Sequence, residues 1–277
     1  MSAFFRILIV IALVWGVSRS AIYLLPGDPV DFLVHESLVK IDPVELRTRM
    51  DLNGTPWDRI FSKPSMQSLV KQPPLGTLLF EAIGKSGSLT LLTLFLSIPW
   101  ALGLAYLHFR HPSSRRFTQG FSLLSASLPL FVIGPVLLRN LPLPNPFLPA
   151  LTLSFHLSGF WYRAVSRKLD GFLPRSPVAG ARALGFPEDR VFFRALLAPV
   201  SGSLLLYFGT QLGTLLNGSL IVEVLFQWRG IGSLLADSIL SRDYPVIEAC
   251  ILTATLLTLL SQQLGMWLQN LWEPRHK

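Results

Sequence analysis

Long apolar blocks separated by short polar stretches dominate this chain, and their lengths suit bilayer-crossing helices rather than strands. Bounded by charges and prolines, six blocks stand out, at about 4–25, 88–108, 117–138, 147–163, 200–222 and 245–271. A helix rises about 1.5 Å per residue, so about 20 residues cross a hydrocarbon core. The block at 147–163 is short for that task and either tilts less or extends into its polar flank. None of the blocks shows the ten-residue alternation of a lipid-facing strand, which leaves helices as the spanning element. The pattern predicts an all-α, polytopic membrane protein with about six transmembrane helices. It divides into an N-terminal helix (1–25), a long connection (26–87) and a five-helix core (88–277). The first block, "FFRILIVIALVWGVSRSAIYLL", has an apolar centre of signal-peptide size behind Arg6. It lacks a small-x-small cleavage site and resumes its apolar run after Arg19, so it reads as an uncleaved anchor. Arg19, inside this block, is expected to snorkel to the outer surface.

Charge gives the blocks a direction. With the N-terminus inside, the inner segments hold 13 Lys and Arg against 4 acids, while everything else holds 11 cations and 12 acids. The inner side is therefore about +9 and the remainder about −1, which accounts for the net +8 of the chain and follows the positive-inside rule. Both termini and the segment 164–199 are then cytoplasmic, and 26–87 is extracytoplasmic. The same distribution removes the need to invoke nucleic acid for the basic excess. Composition agrees with lipid: 51% of residues are apolar and 14% charged, against about a quarter charged in soluble domains. One cysteine, Cys250, excludes an internal disulfide and a cysteine metal cluster.

The polar stretch "PVAGARALGFPEDRVFFRALLAP" (177–199) interrupts this pattern. Val178 to Leu184 are helix formers apart from Gly180, and Gly185 supplies a stop. Pro187, Glu188 and Asp189 read as the first turn of a second helix, since proline is tolerated there and acids suit the positive end of the dipole. Arg190 and Arg194 lie four apart on one face, opposite Val191, Phe192, Ala195 and Leu196. Such a helix–kink–helix suits docking of a separate protein. It equally suits an amphipathic loop lying on anionic headgroups.

"AGARALGFPEDRV" resembles the cytoplasmic "EAA" loop of bacterial ABC importer permeases, in the form used by the dipeptide, oligopeptide and nickel subgroup. Ala179, Gly180 and Ala181 occupy the three motif positions and Gly185 the glycine. "GTLLNGSLIVEVLFQWRGIGSLLADSILSRDYPVIEA" (213–249) is similar to the subgroup's C-terminal signature, including Glu223, Phe226, Gly230, Gly232, Arg242, Asp243, Tyr244 and Pro245. "LLPGDPV" (24–30) and the tail "EPRHK" resemble further elements of the subgroup. Ala179 replaces the acid that names the loop, a proline is moved forward to Pro199, and the 31–87 stretch is shorter than usual.

The resemblance implies a type I ABC importer permease fold in a bacterial inner membrane, with no catalysis and no bound cofactor of its own. Implied partners are a second homologous permease, two cytoplasmic ATPases that use ATP and Mg, an extracytoplasmic substrate-binding protein, and lipid. It also implies that Ala179, Gly180, Ala181, Arg182, Gly185, Glu188, Arg190 and Arg194 form the ATPase-coupling loop. Small residues would permit close approach, and Gly185 would set the bend. The solute expected is a peptide, with nickel or another small solute as the alternative.

In the fifth block, Thr210, Gln211, Thr214 and Asn217 offer neutral hydrogen-bonding groups for path lining; they serve equally to join helices. Glu223 is expected to be a surface or interfacial anchor, and Glu248 is ambiguous. Arg242 and Asp243 read as a helix entry, with receptor contact as the other reading. His108 and His111 are expected at the interface, and His156 as a packed lone histidine. A stand-alone secondary transporter would need ionisable groups deep in the spans or an inverted repeat; Arg19 and Glu248 are the only weak candidates. A membrane scaffold protein would use the kinked loop as a general docking site. No phosphate-binding glycine loop of the G-x-x-x-x-G-K-[ST] type occurs, so energy must come from a partner.

Overall fold

A computed structural model describes residues 3–24, 30, 44, 47, 74–141, 146–173 and 176–272. Within them every regular element is helical: α1 (Ala3–Leu24), α2 (Leu75–Arg110), a 3₁₀ turn (Pro112–Ser114), α3 (Arg115–Ser127), α4 (Leu130–Asn140), α5 (Phe147–Phe172), α6 (Ser176–Ala183), α7 (Glu188–Arg190), a π-helical segment (Val191–Leu197), α8 (Ala198–Gly218), α9 (Leu220–Leu225), α10 (Ile231–Leu240) and α11 (Tyr244–Trp272). The proline-glycine-aspartate-proline element, most of the long connection and the "EPRHK" tail fall outside the described residues.

Among the described residues, three helices are long and apolar enough to cross a bilayer: Leu75–Arg110, Glu188–Leu216 and Tyr244–Trp272. The expected third span is two helices, α3 and α4, bent by 99°. Taken together this pair makes a fourth span, so length and composition give three or four spans where six were expected. The break has a local cause. Pro129 lacks an N–H and forces Leu128 out of the helical region, to φ −75° and ψ 118°. The expected fourth span lengthens into its polar flank as far as Phe172.

The second helix differs most from expectation. It begins at Leu75, not at 88, and runs for 36 residues. Glycines and charges between 76 and 87 suggested a connection, yet Leu75, Leu78, Leu79, Ala82 and Ile83 recur at helical spacing. They pack against Ile231, Leu234, Val246 and Cys250. The main core joins Leu94, Ala101, Ala105 and Phe109 of α2 to Trp161, Val165 and Leu169 of α5, and both to Val191, Phe192, Leu196 and Val200.

Arg19 does not snorkel. It is 1% exposed, its guanidinium lies 3.3 Å from Oε1 of Glu248 on α11, and it sits 5.3 Å from the Trp15 ring centroid. The Trp15 indole N–H donates to the same carboxylate. Neutralising a charge in hydrocarbon by pairing is cheaper than leaving it alone, so this pair ties α1 to α11. Removing one partner of a buried pair typically costs about 3–5 kcal/mol, whereas replacing both by apolar groups is often neutral. Arg19→Met is therefore expected to lower thermal stability in detergent, and Arg19→Met with Glu248→Leu to restore most of it. Equal losses in the single and double variants would contradict this.

Candidate functional site

The polar stretch folds as an elbow at the basic end of the molecule. At the end of α6 the Phe186 N–H donates to the Ala181 carbonyl at 3.2 Å and the Gly185 N–H to that of Arg182 at 2.9 Å. These two bonds define a Schellman cap, which needs a left-handed residue at its corner. Gly185 supplies it at φ 72°. Pro187 then presents its carbonyl to the Val191 N–H at 3.1 Å, opening the next helix.

That helix is not separate from the membrane. From Glu188 it runs without a break to Leu216, through the π-helical segment and α8. A π segment widens a helix by one residue per turn and recurs at functional positions. Here it lets Val191, Phe192 and Leu196 all turn inward.

The elbow is fixed to α2 on its inner side. Phe192 packs edge-on against Tyr106 at 5.2 Å between centroids and lies 5.4 Å from Phe109. The Tyr106 hydroxyl donates to Asp189. Arg182 forks onto Glu188 with two bonds of 3.0 Å and stands 5.5 Å from the Phe109 ring centroid; Arg190 stacks on Phe186 at 5.3 Å. The apolar side of the stretch is thus consumed by the protein's own core rather than by lipid. Of the three motif positions, Ala179 and Gly180 are exposed, but Ala181 is partly buried and packs against the core. What remains on offer is a surface of Ala179, Gly180, Leu184, Phe193 and Arg194, with Leu184 77% exposed.

The fifth-block residues occupy the next part of the same helix. Thr210, Gln211 and Thr214 are half-exposed to exposed, while Asn217 lies on α8 with its side chain outside the described set. Thr210 and Thr214 donate to the Tyr207 and Thr210 carbonyls at 2.7 and 2.9 Å, so they do not join helices among the described residues. Helix joining falls to glycines instead. A Cβ on Gly209 would lie 2.6 Å from the Gly265 Cα, and one on Gly265 would lie 2.9 Å from the Gly209 Cα. α8 and α11 therefore touch backbone to backbone, and the threonines face elsewhere. Thr210 lines a cavity of about 520 Å³ with Ser203 and Tyr207 of α8 and Arg167 and Lys168 of α5. A neighbouring cavity of similar size shares Arg167 and Tyr207 and extends to Gln119, Tyr162 and Arg163.

Glu223, expected at the surface, is fully buried at the opposite end. Its Oε1 accepts from Ser86 of α2 at 2.6 Å and from Ser219 at 2.7 Å. Its Oε2 accepts from the Gly232 and Ser233 N–H groups at 2.9 and 3.1 Å. The carboxylate thus caps the N-terminus of α10, where negative charge is favoured, and ties it to α2. A Cβ on Gly230 would stand 2.4 Å from Oε2, so the glycine makes room for the acid. The sequence shows an acid ahead of the "GIGS" run but not its burial. His156 is the packed histidine expected, its Nδ1 2.8 Å from the Ser125 carbonyl. His108 is buried against the protein, 2.5 Å from the Tyr162 hydroxyl. Asp243 is fully buried and its neighbour Arg242 adopts φ 53°, the geometry of a turn into α11.

The profile of binding-protein-dependent transport system inner membrane components matches residues 97–277. The chain is similar to the nickel import system permease protein NikB of Staphylococcus aureus strain MRSA252, 28% identical over 302 aligned positions that cover 100% of this chain and 92% of the relative. The NikB proteins of strains bovine RF122 / ET3-1 and USA300 match with the same identity and coverage. With the elbow, the spanning helices and the matched residues in agreement, this chain belongs to the inner-membrane permease components of binding-protein-dependent ABC importers, which are not themselves catalytic.

Proposed function

We propose that the chain forms half of a translocation path for peptides, paired with a homologous permease, and that two cytoplasmic ATPases engage it through Ala179, Gly180, Ala181, Arg182, Gly185, Glu188, Arg190 and Arg194. On this reading both termini and the elbow face the cytoplasm, and an extracytoplasmic binding protein delivers the solute at the Glu223 end. The observation that carries the reading is the unbroken helix from Glu188 to Leu216. The Arg190 and Arg194 part of the docking surface and the polar face of α8 then belong to one continuous helix, to which α6 is joined through the Gly185 bend, so force applied to the first can reach the second. ATP binding can bias the path only if the elbow's contacts differ between nucleotide states of the motor.

Thr210, Gln211, Thr214 and Asn217 would line the path with neutral donors and acceptors, which suit a zwitterionic peptide. A nickel complex is the second reading, favoured by the name of the NikB relatives. ATP-driven uptake of labelled dipeptides and of nickel complexes into vesicles carrying the whole complex separates the two.

The elbow is tested by two substitutions. A side chain on Gly180 meets nothing within 4 Å, so Gly180→Trp leaves this chain intact and obstructs the docking face. Gly185→Pro cannot adopt φ 72° and removes the N–H of the cap. Each is expected to reduce co-purification of the ATPases at least about tenfold, the loss of roughly 1.4 kcal/mol of contact, without affecting membrane insertion. Unchanged recovery of ATPase with both variants would sink the assignment.

A further inference from the structure

The geometry points to a carboxylate-holding vestibule at the basic end of the path, formed by Arg163, Arg167 and Lys168 against Tyr207 and Thr210. The inference rests on the path reading above and narrows its solute to one bearing a free carboxylate.

Two cavities of about 520 Å³ meet at this place, and both are lined by Arg167 and Tyr207. Arg163 borders one and Lys168 the other. Tyr207 is fixed edge-on to Trp161 at 4.9 Å between centroids, so its position is set by the core. Arg163 is held over the Phe160 ring at 4.9 Å, and the Arg167 Nε donates to the Arg163 carbonyl at 3.1 Å. That leaves the Arg167 Nη groups for another acceptor.

Arg163, Arg167 and Lys168 belong to the inner segments, where cations outnumber acids. These three make no ion pair among the described residues. Asp170 also lines the cavity that holds Arg163, where it lies 3.5 Å from Arg115 and 3.7 Å from His108. Three cations and a phenol on two facing helices make a site for an anionic oxygen, with a fork from Arg167 as its most directional donor; Thr210 borders the site with its hydroxyl already donating to the Tyr207 carbonyl. The chemistry is shared by a solute carboxylate and a lipid phosphate. The proposal is the solute, because Thr210 places the site on the α8 face assigned to the path.

The test uses the complete complex in phosphatidylcholine vesicles, with the binding protein loaded to saturation with either a labelled dipeptide or its C-terminal amide. The unmodified complex should move the acid faster. Arg167→Gln with Lys168→Gln should lower the acid-to-amide rate ratio about fivefold, the size of a partly hydrated charge contact, and Arg167→Lys should retain most of the ratio. An unchanged ratio in an assembled double variant overturns the vestibule. An effect that appears only when phosphatidylglycerol is added also overturns it, since the cations would then serve lipid. No uptake of either peptide by the unmodified complex would sink the peptide-path reading itself.

Discussion

Glu223→Ala is expected to destabilise the isolated permease by about 3–5 kcal/mol, since a buried donor left without an acceptor costs about 1–3 kcal/mol. Four donors converge on this carboxylate from α2, from Ser219 and from the start of α10. Alanine leaves all four without an acceptor in a place that water does not reach. Glutamine keeps the shape and is expected to destabilise less than alanine, because its amide nitrogen can donate to the Ser86 and Ser219 hydroxyls while its oxygen accepts from the Gly232 and Ser233 N–H groups, and only the charge is lost. Ser86→Ala should cost less than Glu223→Ala, although the Ile231 N–H also loses its acceptor, now 2.8 Å away. Detergent-solubilised protein, heated and then passed over a sizing column with fluorescence detection, gives the ranking. Wild-type heat resistance in the alanine variant would show that the cluster holds nothing.

Gly209→Leu should be as damaging for a different reason. Its first side-chain atom would fall 2.5 Å from the Ser261 carbonyl oxygen and 2.6 Å from the Gly265 Cα. These are backbone atoms in a packed helix, so relief requires α8 and α11 to separate along their whole contact. A loss of several kcal/mol, at or above the about 1–3 kcal/mol typical of overpacking, is expected. Gly103→Leu is the matched control, since nothing lies within 4 Å of its added carbon. If the two variants were equally stable, the backbone contact would not be what joins these helices.

Much of this was legible in the sequence because the signals are local. The stop at Gly185 needs only a residue tolerant of positive φ at the end of a helical run. The apolar side formed by Val191, Phe192 and Leu196 needs only helical spacing, and all three are buried. The long-range features were not legible. Arg19 and Glu248 are 229 residues apart, and each alone looks like a charge seeking water. Glu223 reads as a surface acid until Ser86 and the Gly232 and Ser233 N–H groups are brought around it from other elements. Residues 75–87 failed for a third reason: their glycines and charges suggested a connection, while the apolar partners that fix them as helix lie beyond residue 230. In the 177–199 stretch, spacing alone could not show that Ala181 is partly buried while Ala179 and Gly180 are exposed.

The Gly209–Gly265 approach is continued by Gly213, whose Cβ would stand 3.1 Å from the Thr258 Cα, so α8 and α11 meet along a seam rather than at one point. From Glu188 to Gly209 the rod measures about 32 Å, and about 10 Å remain to Leu216. A load entering at Glu188 would therefore be handed to α11 along that seam, and the two helices would answer it as one paired strut.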